Sequence, residues 1–189
     1  MSISPVVFCD LETEGLDPAS NCILEIFATA YGMDDVTGFY RLIRYQYRPE
    51  FMSPRVHEMH LASNLLFDCD REQAVTQRQA LVDLYDWLME VRGNNNKVRL
   101  AGFSPHFDRS FLLASMPELA DHIHHQVIDV STIRHVFQLG GSPIYPTGDG
   151  AIHRAYADTH QAISMYEQSI DLIKNRITPN DLNRNEKND

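Results

Sequence analysis

The sequence predicts an α/β fold, a mixed five-stranded sheet flanked by helices. Three strand-like runs come first, close enough along the chain to pair antiparallel, and two more follow interleaved with helical patterns. A chain of 189 residues with 43% hydrophobic and 10% aromatic residues has the material for one core, so a single domain over residues 1–178 is expected.

Each element rests on its own pattern. Val6-Val7-Phe8-Cys9 is a short apolar run of buried-strand type, and Ile23 to Tyr31 is a second, interrupted by Glu25. Glu14-Gly15-Leu16-Asp17-Pro18 supplies the turn between them, and Gly38 to Tyr47, rich in aromatic and β-branched residues, is the third strand. Pro49 and Pro54 then break the chain before a short polar segment around His57 to Asn64. From Arg71 to Arg92 the period becomes helical: Leu81, Leu84, Tyr85 and Leu88 fall at i, i+3, i+4 and i+7, and Gly93 with three Asn ends the pattern. Val98 to Phe103 is the fourth strand. Ser104-Pro105 predicts an N-cap with Pro in the first helical position, and Phe107 to Ser115 the helix behind it. Val127 to Val130 is the fifth strand, followed by a helix from Ser131 to Leu139 that stops at Gly140-Gly141. Residues 140–150 form a loop dense in Gly and Pro, and the last helix puts Tyr156, Ile163, Tyr166, Ile170 and Ile173 on one face. The tail over 179–189 has almost no apolar residues and is expected to be disordered.

Composition narrows the function. Lys plus Arg (16) against Asp plus Glu (26) gives a net charge of −10, which excludes a protein that grips nucleic acid through a broad basic surface. Any polyanion handled here needs another source of positive charge. Cys9, Cys22 and Cys69 form no C-x-x-C pair, so neither a disulfide framework nor a Cys-rich zinc site is expected. The start MSISPVVFCD lacks the features of a signal peptide and no apolar stretch approaches membrane-spanning length, so the expectation is a cytoplasmic protein with no membrane partner.

The chemistry concentrates in acids. Asp10 and Glu12 are two apart in a strand, so both carboxylates face the same side where a buried strand runs out. Two anions that close are either solvated at the strand end, or share a proton or a cation, for which Mg²⁺ or Mn²⁺ suits oxygen ligands. Asp108 stands at a strand-to-helix junction, where α/β sheets build sites, although alone it reads as a carboxylate complementing a helix dipole. His153 and Asp158, five residues apart at the start of the last helix, alone read as a surface pair.

Together they form a pattern. Asp10-Leu11-Glu12-Thr13-Glu14-Gly15-Leu16-Asp17, then Gly102-Phe103-Ser104-Pro105-His106-Phe107-Asp108-Arg109-Ser110-Phe111-Leu112, then His153-Arg154-Ala155-Tyr156-Ala157-Asp158 resembles the three motifs of the DEDDh 3′-to-5′ exonuclease family. Within that family the chain is most similar to the oligoribonucleases, with further likeness at Met59 to Leu65, Met116 to Leu119 and Asp129 to Thr132. The resemblance implies an RNase H-like fold and a hydrolase that releases nucleoside 5′-monophosphates from short single-stranded oligonucleotides, RNA in the first instance. It implies two divalent ions, Mg²⁺ or Mn²⁺, on Asp10, Glu12, Asp108 and Asp158, and His153 as general base. It also implies that Leu16 wedges against a base, that His60 contacts the substrate, and that Ser104, Phe103 and Phe107 line the substrate path. Glu25 and Gln161 are supporting candidates, and a homodimer follows by analogy.

Departures limit the likeness. Where oligoribonucleases carry Tyr-Arg, this chain has His125 and Gln126, and Gln cannot make an ionic, bidentate phosphate contact. Phe103 and Phe107 stand where the family has Asn and Gln. Longer single-stranded RNA or DNA is therefore an alternative substrate, with Phe103, Phe107 or Tyr145 as stacking surfaces or as core. A DNA exonuclease of proofreading or trimming type is a rival, as is a non-catalytic interaction domain, against which the complete set of four acids and His153 counts. Three lesser patterns carry no chemistry: His57-Glu58-Met59-His60 is one residue short of the zinc-protease spacing, Asp68-Cys69-Asp70 reads as an acidic cluster at a helix N-terminus, and His122, His124 and His125 read as solvent-facing.

Overall fold

The structure is a computed structural model that describes residues 4–33, 38–48, 50–94, 97–146 and 153–176. The predicted tail at 179–189 and part of the 140–150 loop lie outside the described residues.

Five strands form one mixed sheet in the order β3-β2-β1-β4-β5. β1 (Val6–Thr13), β2 (Ile23–Ala30) and β3 (Phe39–Leu42) pair antiparallel, while β4 (Arg99–Gly102) and β5 (Ile128–Asp129) join β1 in parallel. The third strand is shorter than the run from Gly38 to Tyr47 suggested, because pairing with β2 ends at Leu42.

Alternation along β1 sorts the two faces. Val7, Cys9 and Leu11 pack under α3 (Gln77–Arg92) and α4 (His106–Ser115), with Leu81, Leu84, Leu88 and Phe111 in one continuous core. Phe8 faces the other way, onto α5 (Val130–Leu139) and α6 (Ala155–Arg176), where Val130, Ala162 and Met165 enclose it. Asp10 and Glu12 continue the Phe8 side and therefore open toward α6.

Four expectations need correction. The polar segment around His57 to Asn64 is helical: α1 (Pro54–Ala62) starts at the Ser53 cap with Pro in the first turn, and α2 (Leu65–Cys69) follows. The helical pattern read from Arg71 begins at Gln77, because the Thr76 hydroxyl accepts from the Gln79 N–H and caps it there. Asp68 and Cys69 lie within α2 and Asp70 caps its C-terminus, so this acidic cluster does not open a helix at Arg71. The buried stripe of α6 is Ala155, Thr159, Ala162, Met165 and Ser169, whereas Tyr156 and Ile173 are exposed. Small residues let α6 approach the sheet closely, and the large ones are turned to its flanks.

Among the described residues the three cysteines are free, and no helix is long and apolar enough to cross a membrane.

Candidate active site

β1 outruns its parallel neighbour. β4 pairs with Val6, Val7 and Phe8 only, so the β1 edge beyond Phe8 lacks a strand on that side. Asp108, in the first turn of α4, fills the gap: its Oδ1 accepts the Leu11 N–H at 2.9 Å, across 97 residues of sequence. A bend at Gly102-Phe103-Ser104 brings α4 back to this edge. A Cβ on Gly102 would stand 2.9 Å from the Cys9 carbonyl oxygen, and its φ of +155° also favours glycine. Gly102→Ala is expected to cost about 1–3 kcal/mol, read as a lower urea midpoint; an unchanged midpoint would show that the contact yields freely.

Ser104 does not cap α4. It adopts a left-handed φ of 51°, the cap position belongs to Pro105, and its N–H donates to Asp129 Oδ1 at 3.2 Å. Asp129 also caps α5 through the Ser131 N–H, so one carboxylate holds both the Ser104 backbone and the start of α5, while α4 has no side-chain cap.

Asp158 reaches the same rim from the first turn of α6. Carboxylate oxygens of Glu12 and Asp158 and a ring nitrogen of His153 lie within 4.8 Å of one another. His153 is exposed on left-handed backbone, φ 52°. Burial, then the charges of Asp158 and Glu25, push the Glu12 pKa up to about 8. Asp108 rises to about 7 through burial, against the lowering effect of the Leu11 N–H. Asp10 is raised well above the usual carboxylate range by burial and then by Asp108, Glu12 and Asp158. Such a cluster holds protons that solvated carboxylates would have lost, unless cations replace them. An oxygen-rich donor set with one imidazole fits hard divalent ions.

The remaining predicted residues separate. Leu16 projects from the turn after β1, 81% exposed. Beneath it runs a cleft of about 180 Å³ lined by Leu16, Val56, Met59 and Phe107, with Glu12 at its margin. Phe103 is elsewhere, packed on the Phe8 side and bordering a hollow with Ser131 and Arg134 of α5. Tyr145 is exposed, with its backbone held by Gln168.

His60, expected at the substrate, is wholly buried, behind Glu12. Its Nε2–H donates to the Thr13 carbonyl at 2.9 Å, which leaves Nδ1 without a hydrogen bond 3.9 Å from Glu12 Oε2. Docking of α1 against the end of β1 buries His60. Gln161 is buried on α6, and Glu25 is buried within β2. At the site of the departures, Gln126 accepts from Arg99 Nη1 at 3.0 Å, and His124 stacks on His125 at 4.4 Å between centroids.

Residues 7–166 match the exonuclease family. The chain belongs to that family. The exonuclease is 31% identical over 168 residues to the oligoribonuclease of Streptomyces coelicolor, covering 84% of this chain and 82% of the relative. Its fold is similar to the nuclease domain of 3′hExo, a DEDDh family member bound to rAMP, with a TM-score of 0.56 and 15% identity over 89% of this chain and 92% of the other. It is also similar to S. pombe Pop2p in a Mg²⁺- and Mn²⁺-bound form, with a TM-score of 0.58 and 14% identity over 87% and 82% of the two chains. The mixed sheet with flanking helices is thus the RNase H-like exonuclease fold, and the enzyme is a 3′-to-5′ exonuclease hydrolysing phosphodiester bonds.

Proposed function

We propose that this exonuclease trims short single-stranded oligoribonucleotides to nucleoside 5′-monophosphates with the help of two divalent ions, Mg²⁺ or Mn²⁺. The observation that carries the reading is the convergence of Asp10, Glu12, Asp108 and Asp158 on one rim, where burial and mutual repulsion favour a cation. These four carboxylates would hold the ions. When bound, the ions supply the positive charge that offsets the charge developing on the scissile phosphate. His153 is the proton acceptor for the attacking water, since its exposed imidazole stands beside Asp158 and Glu12, where the ions and the water would sit.

The cleft under Leu16 holds the 3′-terminal base, with Leu16 above it and Phe107 as a wall. A cleft of that size takes one unpaired base, which supports single strands over duplexes. The net charge of −10 supports a short footprint, because long strands are held by many phosphate contacts. The name of the Streptomyces coelicolor relative supports RNA. A homodimer is also part of the proposal, by analogy with the oligoribonucleases, and a solution mass of one chain would remove it.

The test is shortening of 5′-labelled RNA and DNA of two to twenty nucleotides in Mg²⁺ or Mn²⁺. Loss of single nucleotides from the 3′ end, fastest on short RNA, is the expected result. No shortening of any strand in either metal would overturn the reading, and equal or faster attack on DNA would overturn the polymer preference. Leu16→Ala should raise KM about ten- to a hundredfold, the scale of a buried leucine contact of about 1.5–3 kcal/mol, with kcat and the melting temperature little changed because the side chain is exposed. An unchanged KM would place the base elsewhere.

A further inference from the structure

We infer that Glu25 and Arg154 are positioning residues for this reaction, a buried ion pair that sets where His153 and Asp158 stand over Glu12. The inference rests on the roles proposed above for those three residues. Glu25 lies within β2, the third of its eight residues, 1% exposed, at a position where a packed strand ordinarily carries an apolar side chain. Its Oε1 accepts from Arg154 Nη2 at 2.8 Å, from Arg154 Nε at 3.0 Å and from the Tyr40 hydroxyl at 2.9 Å. Its Oε2 accepts the N–H of Ala155, the first residue of α6, at 2.8 Å. Helix N-terminal N–H groups have no partner within the helix, so Glu25 serves α6 as a capping carboxylate contributed by a distant strand.

Arg154 spreads the anchor further. Nη1 donates to Asp68 Oδ2 at 2.9 Å and to the Ser63 carbonyl at 3.3 Å, and Nη2 to the Tyr40 hydroxyl at 3.2 Å. One guanidinium therefore ties β2, β3 and the α1–α2 segment to the residue between His153 and α6. The β1–β2 register sets Glu25 directly opposite Glu12. The strand pair that fixes Glu12 thus also fixes the first turn of α6, which carries Asp158, and the backbone of His153.

Stability alone does not account for this arrangement. Burying an ion pair is at best weakly favourable against apolar packing, and Glu25 adds a fifth carboxylate beside the four on the rim, raising the Glu12 pKa, an effect that Arg154 opposes. A rim whose members come from β1 and α6 needs a rigid reference between the two, and misplacement by about 1 Å can cost roughly a hundredfold in rate.

The test uses the full chain and whichever oligonucleotide the wild type shortens fastest. Glu25→Gln should lower kcat about a hundredfold with KM within about threefold of wild type, because the cleft under Leu16 is untouched. Hydrogen exchange should accelerate at the Ala155 amide while the Leu11 amide, held by Asp108, stays protected. Tyr40→Phe removes one bond to Glu25 at a partly exposed site and guards against a Glu25 variant that fails to fold; it should lower kcat about three- to tenfold with the fold intact. A folded Glu25→Gln with wild-type kcat, a loss expressed in KM alone, faster Ala155 exchange without a change in rate, or a Tyr40→Phe with unaltered kcat would each overturn the inference. Asp158→Asn, run alongside, separates the two readings: if it stays active the site assignment fails, whereas an inactive Asp158→Asn beside a fully active Glu25→Gln removes the positioning role only.

Discussion

Asp158→Asn is expected to lower kcat at least about a thousandfold and, in the same protein freed of metal, to raise the melting temperature. The first effect follows from removing one of four carboxylates that would hold the ions: their stabilisation of transition-state charge is worth several kcal/mol, and about 1.4 kcal/mol is a factor of ten. The second follows from repulsion. Asp158 is the largest charge contribution to the raised pKa of Glu12 after burial, and it also raises Asp10. Asn keeps nearly the same volume without the charge, so the metal-free fold loses an unfavourable interaction. A gain of about 1 kcal/mol corresponds to roughly 2–4 °C for a chain of this size. Activity assays with excess metal and thermal melts in chelator check the two halves. Wild-type activity would sink the site assignment, and a lower melting temperature in chelator would show that Asp158 is held by bonds worth more than the repulsion.

Divalent metal is expected to stabilise the protein strongly at pH 8.5 and weakly at pH 5.5. In the metal-free fold Glu12 titrates at about 8 and Asp108 at about 7, and Asp10 is also raised, whereas in an unfolded chain such groups titrate near about 4. Between those values the folded state binds more protons than the unfolded one. Stability from these groups is therefore fully present below about pH 4 and is lost as pH rises through 7 and 8. Cations take the place of those protons, so their contribution grows over the same interval. At a metal concentration a hundred times the Kd, mass action adds about 2.7 kcal/mol, or roughly 5–10 °C by the same scaling. Melts with and without Mg²⁺ or Mn²⁺ at the two pH values decide it. An equal shift at both, or none at either, would mean that the carboxylates do not gather the ions.

Local pattern carried far in some places and failed in others for definite reasons. Asp10 and Glu12 were legible as a pair because side chains two apart in a strand share a face, whatever the fold around them. The core of α3 was legible from Leu81, Leu84 and Leu88, and its start was not, because the Thr76 cap is a single hydrogen bond with no periodicity to announce it. α1 escaped because a short polar helix behind a proline has little apolar stripe. The helical period finds α6 but only part of its buried side: Ile163 and Tyr166 pack at the margin of the core, Ala155, Ala162 and Met165 face the sheet, and Tyr156 is turned out. Hydrophobicity ranks side chains by size, and close packing at this contact favours small ones.

The family motifs supplied the acids and His153, and no spacing could have shown what each one meets. By itself the sequence determined the class of fold, the strand that carries Asp10 and Glu12, and the oxygen-rich chemistry of the set, because alternation, helical period and residue type are properties of neighbours along the chain. Only the tertiary structure decided that Asp108 replaces a missing strand at Leu11, that His60 is buried beneath Glu12, and that Glu25 grips Arg154 and the start of α6. Those contacts join residues 47 to 130 positions apart. They form where burial leaves a polar group one available partner, and that partner is chosen by how strands and helices stack.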